Sequence, residues 1–277
     1  MTMAIPELES GSETQRLQRG WSSIQERVFS IVGQDAVMFP IDNPAYGRYE
    51  DIEGGAATIV GITASSDGII PVLTNTQTAA IPAKVGPLAI PELNVDGTLY
   101  TTPNNAYWTQ NDGFSCIMWV HNNGSNTGTW MSKWDASGTN REWWWGMTSS
   151  AQPKIHIYDE SNAAQLGQRY PGLPNDGAYK MIAMVWDGGT SVGGAVTYKD
   201  GILATSPQND GNIGSGFAGM DNSATLVQIG STQNGLGSNT MNVMGGPLSP
   251  IFTPNVLTAA QMLNYYRLTA PALGVLA

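Results

Sequence analysis

The side chains of this chain that offer chemistry are few, and most of its acidic groups are explained by turns. Seven of the 13 aspartates precede glycine: Asp67, Asp96, Asp112, Asp176, Asp187, Asp200 and Asp210. Asp-Gly between apolar runs is a hairpin signal, because both central turn positions tolerate positive φ. Glu50, Asp51 and Glu53 crowd into a predicted turn, "YEDIEGG", and Asp159 and Glu160 are neighbours that face opposite ways on a strand. Neither group sets two carboxylates across a bond. His121 stands at a strand end and His156 alternates with isoleucines, without metal-ligand spacing, so both read as structural or solvent-facing. Asp135 with Asn140, or Asp221 with Asn222, carry oxygens of the kind calcium takes, yet no run resembles a calcium loop and turn chemistry explains them. No cofactor is expected. "GSGFAG" (214–219) matches G-x-G-x-x-G only in form, since it follows no clear strand and opens no helix.

Aromatic rings offer a different chemistry, stacking. "NREWWWGM" (140–147) sets three tryptophans side by side. A helix would spread them around its surface. A strand places Trp143, Trp145 and Met147 on one face and Trp144 with Gly146 on the other. Aromatic residues favour strands, and the Asn, Gly and Ser that bracket the run support that reading. One face is then core. Trp144 is left for packing under a loop, contact with a partner, or stacking on a sugar. Trp108 and Trp130 are the other expected members of such a glycan or partner surface.

The elements that must hold these residues are short. Candidate strands cover 36–41, 56–62, 88–95, 113–120, 128–134, 142–147, 153–158, 179–186, 194–199, 224–230 and 241–252, with turn residues between them. About ten short strands so spaced predict a sandwich or barrel. Residues 71–87, rich in Pro, Thr and Ala, read as an extended loop or arm. At the N-terminus, Leu17, Trp21, Ile24, Val28 and Ile31 recur at spacings of 4, 3, 4 and 3. They form the stripe of an amphipathic helix over 12–32, opened by a Ser12–Gln15 capping box and closed by Gly33. "LTAAQMLNYYRL" (257–268) predicts a C-terminal helix capped by Thr258.

Composition narrows the partners. The chain has 277 residues, a net charge of −10 and only five lysines, which argues against nucleic acid, whose phosphates need clustered Lys and Arg. No stretch approaches eighteen apolar residues, so no membrane span is expected. The lone Cys116, in "FSCIMWV", reads as a buried apolar residue, and "MTMAIPELESGSETQR" lacks the basic start and apolar core of a signal peptide. The Asn-Gly-Ser acceptor at 123–125 therefore carries no weight. Synthesis in a reducing cytoplasm is the expectation.

The order of these pieces resembles the concanavalin A-like, laminin G-like jelly-roll superfamily. "LNVDGTLYTTPNNAYWTQNDGFSCIMWV", "MSKWDASGTNREWWWGM", "YKMIAMVWDGG" with "AVTYKDGILATS", and "LTAAQMLNYYRL" are similar, in order, to passages of that family over roughly residues 35–268. The resemblance implies an all-β, antiparallel β-sandwich with a short C-terminal helix, and the apolar stripe adds an N-terminal helical extension that the family pattern does not cover. Together they divide the chain into a 1–33 arm and helix, a 34–269 jelly roll and a 270–277 apolar tail. Trp143 matches the family's recurrent tryptophan and should be core with Trp145, and Trp119 and Trp186 should likewise be buried between layers or under loops. Glucanases of the family use an E-x-D-x-x-E strand, which "YEDIEGG" does not reproduce, so no catalysis is expected.

Three functions follow, in order. The first is a structural or decorating protein of a virus particle, most like a tailed phage, resident in the virion with other virion proteins and copies of itself as partners. The apolar stripe Leu17, Trp21, Ile24, Val28 and Ile31 would be its assembly anchor, in contact with another chain. The second is a carbohydrate-binding, lectin-like module that reads a cell-surface glycan. The third, glycoside hydrolysis, is distant.

Overall fold

The computed structural model describes residues 24, 26–38, 92–93, 100–102, 106–121, 128–138, 140–148, 150–174, 176–210, 216–229, 243–244 and 250–275. The strand expected at 56–62, the arm at 71–87, "YEDIEGG", the glycosylation-like acceptor, Leu17 and Trp21 lie outside them. The strands are β1 (Val37–Met38), β2 (Glu92–Leu93), β3 (Tyr100–Thr102), β4 (Phe114–His121), β5 (Gly128–Trp134), β6 (Arg141–Met147), β7 (Pro153–Asp159) and β8 (Ala164–Arg169). They continue as β9 (Tyr179–Trp186), β10 (Ala195–Lys199), β11 (Ile202–Leu203), β12 (Gln208–Asn209), β13 (Val227–Ile229), β14 (Val243–Met244) and β15 (Ile251–Thr253). One sheet runs β1-β15-β4-β9-β10-β11, with β14 joining β4 to β2; the other runs β12-β8-β7-β6-β5-β13-β3. All pairings are antiparallel. The expected all-β sandwich is what the chain forms.

The core between the sheets follows from alternation. Phe114, Cys116, Met118 and Val120 of β4 meet Trp143, Trp145 and Met147 of β6 and Ile155 and Ile157 of β7. Trp143, Trp145 and Trp186 are fully buried. A buried tryptophan removes about 150–250 Å² from water. At about 25 cal/mol per Å² that is worth roughly 4–6 kcal/mol before ordering costs. Phe252 stacks on Phe114 and Trp143, with ring centroids 5.3 and 5.7 Å away.

Turn chemistry closes the hairpins. Asp200 and Gly201 both take positive φ, 50° and 77°, in the tight turn from β10 to β11, as the Asp-Gly signal requires. β8, "AQLGQR", was not expected as a strand because it lacks β-branched and aromatic residues. It is a strand nonetheless, because Ala164 and Leu166 reach the core from alternate positions. The single strand expected at 241–252 is two, β14 and β15.

A second apolar cluster lies on the outside of the β4-β9 sheet. The C-terminal helix, Ala259–Thr269, begins at Thr258 with a complete capping box to Gln261 and buries Met262 and Tyr265 there. Beside it runs the helical stretch 26–32, ending at Gly33 with φ 99°. Val28 and Val32 are fully buried, and Ile24 and Ile31 pack against the same cluster. The freed carbonyls at this helix end are also met from within the chain. Thr253 Oγ1 and Asn255 Nδ2 donate to Val32 O at 2.8 and 3.0 Å, and Gln261 Nε2 donates to Ile31 O at 2.8 Å. Of the expected anchor, Ile24, Val28 and Ile31 thus pack against the chain's own sheet, where contact with another chain was expected; Leu17 and Trp21 lie outside the described residues. A heptad-like stripe says that a face must be covered, and the outer face of the sheet covers this part of it.

Candidate functional site

Sheet register assembles the site. Gln228, Ser132, Trp144, His156 and Gly167 are successive cross-strand partners across β13, β5, β6, β7 and β8. Trp143, Trp145, Ile155, Ile157 and Leu166 face the core, so Trp144, His156 and Gly167 face outward. The third tryptophan of the run therefore stands on the outer face of the sheet, half-buried.

Two glycines make room on this row. A Cβ at Gly146 would come within 2.6 Å of Trp144 Cζ2 and 2.9 Å of Cη2, so the benzo edge of the indole fills the space above Gly146. A Cβ at Gly167 would come within 2.8 Å of His156 Cδ2. The glycines let both rings lie low against the backbone, where larger residues would lift them. Trp144 is further held by its Nε1, which donates to Thr129 Oγ1 at 2.8 Å.

Around these two rings is an aromatic and cationic surround. His156 lies 5.8 Å from the Trp144 ring and 6.0 Å from Trp134, and Tyr158 packs edge-on to Trp134 at 5.7 Å. Arg141 lies over the Tyr158 ring at 4.1 Å, and Lys154 Nζ lies 5.9 Å from the Trp144 centroid. Both cations are compensated. Arg141 donates to both oxygens of Glu160, each at 3.0 Å, and to Tyr158 Oη at 3.0 Å. Lys154 pairs with Asp210 at 2.8 Å. The Glu160 hydrogen bond pushes the Arg141 pKa further up. Burial works against Asp210, but its hydrogen bond from Lys154 holds its carboxyl below the usual range. Burial first, and then the charge of Lys154, push His156 down to about 3, so its imidazole is neutral at ordinary pH.

Among the described residues, several acidic groups are occupied within the structure. Glu142 accepts from Lys133, from Thr109 Oγ1 at 2.5 Å and from Ser223 N and Oγ at 2.7 and 2.6 Å. Asp159 accepts from Ser161 Oγ, Asn162 N, Asn162 Nδ2 and Ala218 N; burial opposes ionisation, but these bonds lower its pKa to about 2. Asp135 accepts from Ser137 N and Oγ, and Asp221 from Ser161 N. Asn222 Oδ1 receives Thr109 Oγ1 and Lys133 Nζ at 3.3 and 3.4 Å. Asn140 uses its carbonyl, to Asp135 N and Thr225 Oγ1. Among the described residues, no three His, Cys, Asp or Glu side chains group as a metal site.

Of the surface expected from Trp108, Trp130 and Trp144, only Trp144 is on a face that solvent reaches. Trp108 and Trp130 are fully buried in the core. Trp130 sits at a register shift between Thr129 and Met131, which turns its ring inward to meet Trp145 at 5.0 Å. His121 ends β4. Trp134, Arg141, Lys154, Tyr158 and Asp210 belong to the site and were not foreseen. Their signal was available in part, because Trp134, Tyr158 and Lys154 fall on the outward positions once Trp143 is placed inward.

No protein-family model matches the chain, and no curated protein matches it. Solved structures do. A botulinum neurotoxin type C structure is similar over 86% of this chain and 52% of its own length, at 11% identity with a TM-score of 0.57. A Trypanosoma rangeli sialidase structure matches 95% of this chain and 40% of its own, at 11% identity and a TM-score of 0.49. The Ruminococcus gnavus IT-sialidase CBM40 matches 63% of this chain and 94% of its own, at 8% identity and a TM-score of 0.41. The chain thus spans about half of the toxin chain and less of the sialidase. At such identity the likeness is one of architecture, and the first of these shares the β-sandwich of this chain.

Proposed function

We propose that this chain is a non-catalytic, lectin-like module that binds carbohydrate on the outer face of the β8-β7-β6-β5 sheet. The observation that carries this reading is Trp144, an indole set low over Gly146 on a sheet face, with Trp134, His156 and Tyr158 beside it. A sugar ring presents its C–H face to such an indole, and nearby polar groups fix its orientation. The architectural likeness lends further support, since the botulinum neurotoxin type C structure is described as depending on two ganglioside molecules to enter cells. This reverses the order expected from the sequence. The virion role rests on composition and on the N-terminal apolar stripe, whereas the glycan role has a surface to match.

Catalysis has no counterpart in this reading, because Glu142, Asp159 and Glu160 are each engaged by the hydrogen bonds given above. A glycan array probed with the full chain tests the proposal. Binding to at least one glycan class, abolished by Trp144→Ala with the fold retained, is the expected result. Silence across the array at millimolar sugar would sink it.

A further inference from the structure

The cations of this outer face differ in how they are satisfied. Arg141 has its carboxylate in Glu160 and Lys154 has Asp210. Arg169, at the end of β8, has no ion pair of its own: its charge helps hold Asp210 ionised, but that carboxylate is paired to Lys154. Ala164 and Leu166 point into the core, so alternation puts Arg169 on the same outer face as His156 and Trp144. Its Nε is buried and without a hydrogen-bond partner, and among the described residues its guanidinium forms no salt bridge. A guanidinium brings five donors in a planar fork that matches a carboxylate, and leaving a donor of a charged group buried and unsatisfied is costly. Arg169 therefore reads as half of an interaction.

Register says where the other half would sit. Gly146, Lys154 and Arg169 are consecutive cross-strand partners on β6, β7 and β8. The Trp144 ring covers Gly146. The guanidinium's strand is two inter-strand steps away, roughly 10 Å at the backbone. That span suits one sugar ring on the indole with a substituent directed at the arginine. Asp210 is already held by Lys154, and neutral His156 adds no charge of its own. We propose that Arg169 is the specificity residue of this face, forming a two-pronged hydrogen bond to the carboxylate of an acidic sugar whose ring stacks on Trp144. Local charge is then complementary in a chain that is otherwise strongly acidic.

This inference rests on the carbohydrate-binding reading, and one experiment separates their failures. The full chain is passed over immobilised oligosaccharides ending in glucose, in glucuronic acid or in N-acetylneuraminic acid, with sodium acetate as the free-carboxylate control. Acidic ends should bind about ten- to a hundredfold tighter than the neutral end, the range expected of hydrogen bonds to a charged group. Arg169→Gln should erase that preference, Arg169→Lys should keep part of it, and raising NaCl from about 0.05 to 0.5 M should weaken it. Acetate alone should bind far more weakly than the acidic sugars. Acidic and neutral ends binding within twofold of each other, both lost in Trp144→Ala, would overturn the role of Arg169 and leave the module a lectin. No binding by any end would overturn both. Should Arg169→Gln fail to fold by thermal melting, Arg169→Lys and the salt series decide: acidic binding indifferent to both refutes the proposal.

Discussion

Trp119 on β4 and Trp144 on β6 are placed by the same rule. Each alternates with core residues and points away from the space between the sheets. Their surroundings then diverge. Trp119 is fully buried, stacked on Tyr266 of the C-terminal helix at 5.8 Å, with its Nε1 donating to Thr269 Oγ1 at 3.1 Å. Trp144 gives its Nε1 to Thr129, within its own sheet, and stays half-buried. On one sheet the outer face became a second core because two helices lie on it. On the other it kept rings, cations and amides. The pleat decides which way a tryptophan points, and the chain's remaining segments decide whether it becomes structure or surface.

The largest effects should appear on the helix-covered face. Deleting residues 1–33 would remove Val28, Phe29 and Val32 and uncover the apolar sheet face beneath them, and we expect an aggregating product by size-exclusion chromatography. A soluble, folded remainder would show that the stretch is not needed for the core. Trp119→Ala should cost about 3–5 kcal/mol of unfolding free energy, as for other buried large-to-small changes. Trp144→Ala should cost about 1 kcal/mol, the ordinary cost of a substitution outside the core. Denaturant midpoints for the two variants measure the difference, and equal losses would break the comparison.

Residues 141 and 142 sharpen it further, because these neighbours on β6 make one ion pair on each side. Glu142 pairs inward with Lys133, both side chains wholly buried, whereas Arg141 pairs outward with Glu160. Lys133→Met would leave the buried Glu142 carboxyl without its ion-pair partner, and should cost about 3–5 kcal/mol. Pairing it with Glu142→Gln should recover much of that loss. Burial pulls the Lys133 pKa down against the upward pull of Glu142, the same conflict seen from the lysine. Arg141→Gln should cost about 1 kcal/mol, since a pair that solvent still partly reaches contributes little.

Much of this was legible in the chain, and the residues show why. Trp143, Trp145 and the strands around them follow from period-two alternation, and Thr258 with Gln261 announces the C-terminal helix. The Asp-Gly turns mark Asp200 and Gly201. What escaped was pairing at a distance. Nothing near Trp130 reveals the register shift that turns it inward, and nothing near Asp210, read as one more turn aspartate, reveals Lys154 on another strand. The apolar stripe of 24–31 required a cover without saying whose. Arg169 was invisible for a different reason: β8 has too few strand-favouring residues to be read as a strand, so no face could be assigned to it.

One more expected effect belongs to the outer face that carries Trp144, and it depends on pH. His156 is held at a pKa of about 3 by burial and by Lys154, against an ordinary value of 6.5. Its folded value is depressed, so the unfolded chain takes up a proton first as the solution is acidified. Stability is therefore at its full value above pH 6.5, falls as pH drops below it, and levels off near the folded value. Asp159 is also depressed, from 3.8 to about 2, but it titrates below pH 4. Between pH 6.5 and 4.5 the histidine is thus separated from that carboxylate. Since the ring is half-buried, a loss on the order of 1–2 kcal/mol between pH 7 and 5 is expected. His156→Gln should flatten the unfolding free energy over that interval and leave the slope below pH 4 in place. An unchanged slope above pH 4.5 would mean that the imidazole is hydrated in solution, and that the surround of Trp144 is wetter than its packing against Trp134 and Gly167 implies.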